Sequence, residues 1–96
     1  MNSKQRAYLR KMSADLEPIF QVGKSSVTPE LTTAVSEALL ARELIKLSVL
    51  KNCPYDCREV AETIAERTRS EVVMVIGRKF VLYKNNPNEK KSKFDI

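Results

Sequence analysis

Short apolar runs of strand length alternate with stretches of helical periodicity along this 96-residue chain. The runs are rich in β-branched and aromatic residues, whereas the helical stretches carry apolar residues three or four positions apart. Pro18 cannot continue the helix before it, and Thr28-Pro29-Glu30 is typical of a helix start. The alternation predicts an α/β domain of order α-β-α-β-α-β-β, in which a four-stranded mixed sheet packs with three helices. Right-handed crossovers would join parallel neighbours, and an antiparallel hairpin would end the sheet.

Local signals set the predicted bounds of these elements. The first helix is expected over residues 3–16 with Ser3 as its N-cap, and the second over residues 29–41. The third begins after Asp56, which with Glu59 resembles a capping box, and ends near residues 67–69. The predicted strands cover residues 19–22, 44–50, 71–76 and 79–83, with Gly77-Arg78 as a type II′ hairpin turn.

Two of these elements have a recognisable inner face. In the second strand Ile45, Leu47 and Val49 face one way and Lys46 and Ser48 the other, which predicts a period-2 strand with one partly wet face. The third helix is expected to bury its apolar residues, which are Val60, Ala61, Ile64 and Ala65.

The composition changes after this last strand. Residues 1–84 are predicted to form the folded domain, whereas residues 85–96 are polar, charged and nearly free of apolar side chains. We expect them to form a flexible basic tail. No run approaches the ~20 apolar residues of a membrane helix, and the N-terminus lacks the apolar stretch of a signal peptide. The expectation is a cytoplasmic protein without membrane association.

The side-chain inventory disfavours catalysis. Histidine is absent, so a Ser-His or Cys-His pair cannot form within the chain, and two cysteines supply at most half of a zinc site. Gly23-Lys24-Ser25 resembles the end of a nucleotide phosphate loop, but Pro18 stands where that motif needs its first glycine. Three helix-three carboxylates, those of Glu59, Glu62 and Glu66, have the spacing of a solvated face, where Arg58 can pair with Glu62 four positions on. We expect no enzyme activity, metal, cofactor or small-molecule substrate.

Positive charge is concentrated at the two ends of the chain. The sequence has 17 Lys and Arg against 12 Asp and Glu. Residues 1–24 hold five bases and two acids and residues 78–96 hold six and two, whereas residues 25–77 hold six bases and eight acids. This asymmetry is typical of a protein that binds a polyanion through one basic face, although a net positive charge of this size also favours solubility.

A basic loop precedes the second helix. Unpaired amides and the helix dipole attract anions at such a place, which makes Gly23-Lys24 a candidate phosphate contact. The alternative is that Gly23 ends a strand at positive φ while Lys24 lies in solvent. The residues alone leave both interpretations open.

Four stretches resemble the signature of a known family. They are SKQRAYLR at residues 3–10, EPIFQVGK at 17–24, RELIK at 42–46 and VIGRKFVLY at 75–83. In order and spacing they are similar to the CRM domain, named for chloroplast RNA splicing and ribosome maturation. The similarity covers about residues 3–84 and is greatest to the small stand-alone bacterial members, the YhbY type.

The resemblance implies a fold and a function. Its members resemble the C-terminal domain of translation initiation factor three in fold and bind RNA, the bacterial ones in precursors of the large ribosomal subunit. The family's G-x-x-G loop maps onto Gly23, Lys24, Ser25 and Ser26, where Ser26 replaces the last glycine. If that position needs positive φ, serine carries a conformational cost. We therefore expect a non-catalytic, monomeric protein that binds ribosomal RNA. The loop would contact phosphate, and further basic residues would extend the surface: Lys4, Arg6, Arg10, Lys11, Lys46, Arg78 and Lys79.

One rival function belongs to a different class. The exposed face of the sheet could instead dock on a ribosomal protein or an assembly factor. RNA binding should weaken steeply with salt, whereas an apolar protein interface should not.

Overall fold

The structure is a computed structural model that describes residues 1–85. The predicted order of elements is confirmed. The helices are α1 (Ser3–Ser13), α2 (Pro29–Arg42) and α3 (Cys57–Thr68), and the strands are β1 (Pro18–Val22), β2 (Leu44–Val49), β3 (Glu71–Ile76) and β4 (Lys79–Tyr83). The tail predicted over residues 85–96 lies, apart from exposed Asn85, outside the described residues.

The four strands form one mixed sheet in the order β1-β2-β4-β3. The β1–β2 pair is parallel, as expected for strands joined by the crossover helix α2, and the other two pairs are antiparallel. The hairpin folds back so that β4 lies between β2 and β3. As a result β3 forms one outer edge of the sheet and β1 the other.

The larger core lies between the sheet and helices α2 and α3. The inward side chains of β2 (Ile45, Leu47 and Val49) belong to it, as does Phe80 of β4. Lys46 and Ser48, between them on β2, are half-buried on the other face. The predicted period-2 strand with one partly wet face is therefore confirmed. Helix α3 contributes Val60, Ala61, Ile64 and Ala65, as its pattern predicted.

Helix α1 covers part of the opposite face. Leu9 is fully buried there in a smaller cluster with Leu44, Val73, Val81 and Tyr83. Glu43, at the turn between α2 and β2, is also fully buried, and the Tyr83 hydroxyl donates a hydrogen bond of 3.4 Å to its Oε1.

Local capping confirms one prediction, confirms half of a second and corrects a third. The Thr28 side chain accepts a hydrogen bond from the Leu31 amide (3.0 Å), as predicted. The Asp56 carboxylate accepts one from the Glu59 amide (2.8 Å), but the reciprocal bond of a capping box, from the Asp56 amide to the Glu59 side chain, is not formed. The prediction that Ser3 caps α1 is wrong, because Asn2 does so. Asn2 and Gln5 form a complete capping box, in which each side chain accepts from the other residue's amide.

Two further details concern element ends. Helix α1 stops at Ser13, three residues before the predicted end, because Leu16 N–H donates back to Ser13 carbonyl in a turn (3.1 Å). At the hairpin, φ is positive at Gly77 (58°) but not at Arg78, which agrees with the predicted type II′ turn.

Candidate functional site

Three loops meet at one end of the sheet. The parallel strands β1 and β2 both end there, and the β3–β4 turn lies beside them because β4 is antiparallel to β2. Leu50 N–H donates to the Val22 carbonyl (2.8 Å), and Val49 N–H donates to the Arg78 carbonyl (2.7 Å). We call this region, made of residues 23–26, 50–56 and 77–78, the loop end of the sheet.

Residues 23–26 form a tight turn with Lys24 and Ser25 exposed at its tip. Ser26 N–H donates to the Gly23 carbonyl (2.9 Å), and Ser26 has a φ of 55°. The position at which the family carries glycine is therefore left-handed, and serine bears the cost foreseen for it. Gly23 does not have positive φ, so that part of the alternative interpretation is wrong. A Cβ at Gly23 would instead lie 3.4 Å from both the Asn52 and Leu50 side chains.

The predicted basic residues occupy several parts of the surface. Lys24 shares the loop end with exposed Arg78 and with Lys79, which begins β4 opposite Ser48. Lys46 is half-buried within β2 on the α1 face of the sheet. Exposed positions on α1 hold Lys4, Arg10 and Lys11. The structure therefore places the predicted 23–26 turn and Arg78 together at the loop end with Lys79 next to it, and the other predicted basic residues lie elsewhere.

Arg6 has a structural partner. Its Nη1 donates hydrogen bonds to the carbonyls of Val72 and of Val73, the latter at 3.2 Å. These carbonyls lie where the pairing of β3 with β4 shifts register between Val72 and Met74. The guanidinium therefore satisfies backbone acceptors on the outer edge of β3. Only the remainder of its donors is available to a ligand.

A groove of about 430 Å³ runs along the same edge. Its walls are Arg6 and Arg10 from α1 and Arg58 from α3, and its floor is formed by residues 72–76 of β3. We call it the β3-edge groove. Sequence reasoning assigned Arg58 only to an ion pair with Glu62, which is present at 3.9 Å with both side chains about two-thirds exposed. Its place beside Arg6 and Arg10 had no sequence signal, because the two helices lie on opposite faces of the sheet.

A second groove, of about 630 Å³, separates the 23–26 turn from α3. One wall carries Glu59, Glu62 and Glu66, all exposed as their spacing predicted, and exposed Tyr55 lies among its lining residues. Exposed Arg67 of α3 also lines the groove, so the three carboxylates and this one guanidinium leave the α3 wall with a net negative charge beside the turn that carries Lys24. A polyanion at the turn is therefore disfavoured on the α3 side.

The two cysteines are free and half-buried. Burial, and next the Asp56 carboxylate, raises the pKa of the Cys57 thiol above its usual 9.0. The thiol is therefore protonated at neutral pH and is a poor nucleophile. Among residues 1–85, no three His, Cys, Asp or Glu side chains are grouped to hold a metal ion. No helix in that part of the chain is both long and apolar enough to span a membrane.

Comparisons with known proteins agree on one family. Residues 1–84 match the CRS1 / YhbY (CRM) domain. The chain is 46% identical over 90 residues to the probable RNA-binding protein YqeI of Bacillus subtilis (strain 168), which covers 94% of each chain. It is 26% identical over 90 residues to a protein of Haemophilus influenzae named RNA-binding protein, covering 94% of this chain and 91% of the other.

A solved structure has the same fold. It is the solution structure of the hypothetical protein SAV1595 from Staphylococcus aureus, described as a candidate RNA-binding protein. The two superpose with a TM-score of 0.78 at 42% identity, over 95% of this chain and 94% of that one. The resemblance seen in the four sequence stretches is thus confirmed, and this chain belongs to the CRS1 / YhbY (CRM) domain family.

Proposed function

We propose that this chain is a non-catalytic RNA-binding protein that binds ribosomal RNA in precursors of the large ribosomal subunit through its loop end. The RNA-binding names of its relatives support the first part of this proposal. The observation that carries it is the exposed turn at residues 23–26 beside Arg78 and Lys79. The ribosomal part follows from the family resemblance.

The turn has the chemistry of a backbone contact. The amides of Lys24 and Ser25 make no hydrogen bond within the described residues, so both can donate to a phosphate oxygen. The amide of Leu31 in the first turn of α2 is already taken by the Thr28 side chain, and Pro29 has no N–H. The phosphate would therefore be held by the turn and the Lys24 ammonium rather than by the helix N-terminus.

Charge gives the RNA a direction. The carboxylates on α3 border the turn on one side, whereas Lys51 and Arg78 are exposed on the other loops of the same end and Lys79 is exposed at the start of β4. A strand bound at Lys24 would run across the strand ends toward the β3–β4 turn, because phosphates are repelled by the acidic wall. The path from β1 to β4 crosses two strand spacings, or about 10 Å.

Charge reversal at Lys24 tests the turn. Lys24→Glu should lower affinity for a structured fragment of large-subunit ribosomal RNA by more than tenfold in filter binding, because it sets repulsion beside free amides. Arg42→Glu makes the same change in charge at the opposite end of the sheet, where β2 begins, and should cost less than threefold. Equal losses at matched salt, with unchanged circular dichroism, would mean that net charge alone governs binding.

Two further measurements test whether the binding partner is ribosomal RNA. A salt titration of wild-type binding should give a steep negative slope of log K against log salt; a flat slope would favour the protein-docking rival. Crosslinking in cells followed by sequencing should recover fragments of large-subunit ribosomal RNA precursors. Recovery of unrelated transcripts in proportion to their abundance would contradict the ribosomal assignment.

A further inference from the structure

The β3-edge groove combines two kinds of surface. Arg6, Arg10 and Arg58 form its walls, and residues 72–76 of β3 form its floor. Met74 packs on the α1 side of the sheet and Val75 on the α3 side, so the apolar side chain that the floor offers to a ligand is Ile76. Ile76 is 63% exposed, the most exposed large hydrophobic residue described. Phosphates suit the arginine walls and a flat apolar ring suits Ile76, so the groove matches a ligand that has both.

Arginine is suited to such a ligand. A guanidinium binds phosphate oxygens through two parallel donors, and its planar face also stacks on nucleic-acid bases. Arg10 is exposed, and the Arg58 side chain is 66% exposed with only a surface ion pair of 3.9 Å to Glu62. Both can reorient toward a ligand at small cost.

The groove is a poor site for an added peptide strand. Such a strand would pair with the outer backbone groups of β3, but Arg6 already occupies the carbonyls of Val72 and Val73. The register shift between Val72 and Met74 also breaks the regular spacing of that edge. Only residues 74–76 remain regular, which is too short for a stable added strand.

A double helix is excluded by its shape. Its bases are stacked inside, so they cannot reach the apolar floor, whereas the bases of an unpaired strand can be splayed onto it. Given the proposed function, on which this step rests, we propose that the β3-edge groove binds an unpaired stretch of RNA, with its phosphates on Arg10 and Arg58 and a base against Ile76. The protein would then contact the RNA backbone at the loop end and an adjoining unpaired segment at the β3 edge.

The two surfaces are close enough to act on one RNA. The β3 edge lies three strand spacings, or about 14 Å, from β1 and its turn. Ile76, the last residue of β3, lines the groove, and the hairpin turn with Arg78 follows it directly, so the loop end and the groove adjoin. One RNA with a junction between paired and unpaired segments can therefore contact both.

Two labelled RNAs separate the sites. One is an unstructured strand of about 12 nucleotides, within the range of single-strand site sizes, and the other is a blunt duplex. Arg58→Gln should weaken binding of the single strand about fivefold and reduce its salt slope by about 0.7, and leave the duplex within twofold of wild type. Lys24→Gln should have the larger effect on the duplex. Arg42→Gln is the control for an exposed arginine far from the groove.

Ile76→Ser tests the apolar floor. Because Ile76 is largely exposed, the substitution should leave the fold unchanged, lower affinity for the single strand about threefold and leave the salt slope unchanged. This result would distinguish a base contact from charge attraction alone, which predicts no effect.

The outcomes distinguish this proposal from the one before it. If Arg58→Gln binds the single strand as tightly as Arg42→Gln does, the groove proposal fails, whatever Lys24→Gln does. If Lys24→Gln leaves duplex binding unchanged while Arg58→Gln still weakens the single strand, the turn proposal fails and the groove stands. Binding of polyglutamate that depends on Arg58, with single-strand binding that does not, would identify a protein-docking groove and overturn the proposal.

Discussion

Replacing Ser26 by glycine should stabilise the protein. An L-residue in the left-handed region costs about 1–2 kcal/mol, and Ser26 has a φ of 55°. Its hydroxyl makes no hydrogen bond within the described residues, so the substitution removes no polar contact. Glycine relieves the strain but adds conformational entropy to the unfolded chain, which costs about 0.5–1 kcal/mol. The net gain in the free energy of unfolding should be about 0.5–1 kcal/mol.

Thermal unfolding followed by circular dichroism measures this gain. For a domain of this size, about 1 kcal/mol corresponds to a shift of about 4–8 °C in Tm, so Ser26→Gly should raise Tm by about 2–8 °C. Ser25→Gly is the matched control, because Ser25 is adjacent and exposed but does not have positive φ. The Ser25→Gly substitution adds conformational entropy to the unfolded chain but relieves no backbone strain, so it should lower Tm. A Ser26→Gly protein no more stable than Ser25→Gly would refute the argument from backbone strain.

Three further predictions concern the loop end and its support. Gly77→Ala should lower the free energy of unfolding by about 1 kcal/mol in urea titration. The cost comes from the φ of 58° at Gly77, since a Cβ there would meet nothing within 4 Å. An unchanged free energy of unfolding would mean that the turn relaxes. Asp56→Ala should cost about 1 kcal/mol in the same assay through loss of the 2.8 Å cap to the Glu59 amide, and no loss would show that solvent replaces it. At pH 8, iodoacetamide should alkylate Cys57 more slowly than a cysteine in an unstructured peptide. Its rate should still rise above pH 9.0, because burial raises the thiol pKa, and a plateau below that pH would contradict this.

The signals that sequence reasoning used successfully are local ones. Thr28 and Asp56 were recognisable as caps because the side chain and the amide it accepts from lie three residues apart. The alternation along β2 predicted its inward and outward faces, since successive side chains on a strand point in opposite directions. The wrong prediction of Ser3 as the cap of α1 also concerns local interactions. Asn2 and Ser3 are both good caps, and only the reciprocal hydrogen bonds between Asn2 and Gln5 select Asn2.

The candidate site depends both on local sequence and on tertiary structure. Lys24 and its turn were found from sequence, because glycine, a basic residue and a following helix start are neighbours in the chain. Whether Ser26 adopts positive φ could not be decided there, since the value depends on how β1 leaves the sheet and how Val27 packs against the core. Lys24 and Arg78 lie at the same end of the sheet only because β4 is antiparallel to β2.

The sequence by itself determined the order of helices and strands, the ends marked by Thr28, Asp56 and Gly77, and the presence of a basic turn, because each rests on interactions among residues a few positions apart. Tertiary structure alone decided that β4 separates β2 from β3, that Arg6 binds the outer edge of β3, and that Arg58 joins it there from the other face of the sheet. Those contacts join residues up to 67 positions apart. Their partners are selected by which strand edge and which sheet face remain open once the core has packed, and no local pattern carries that information.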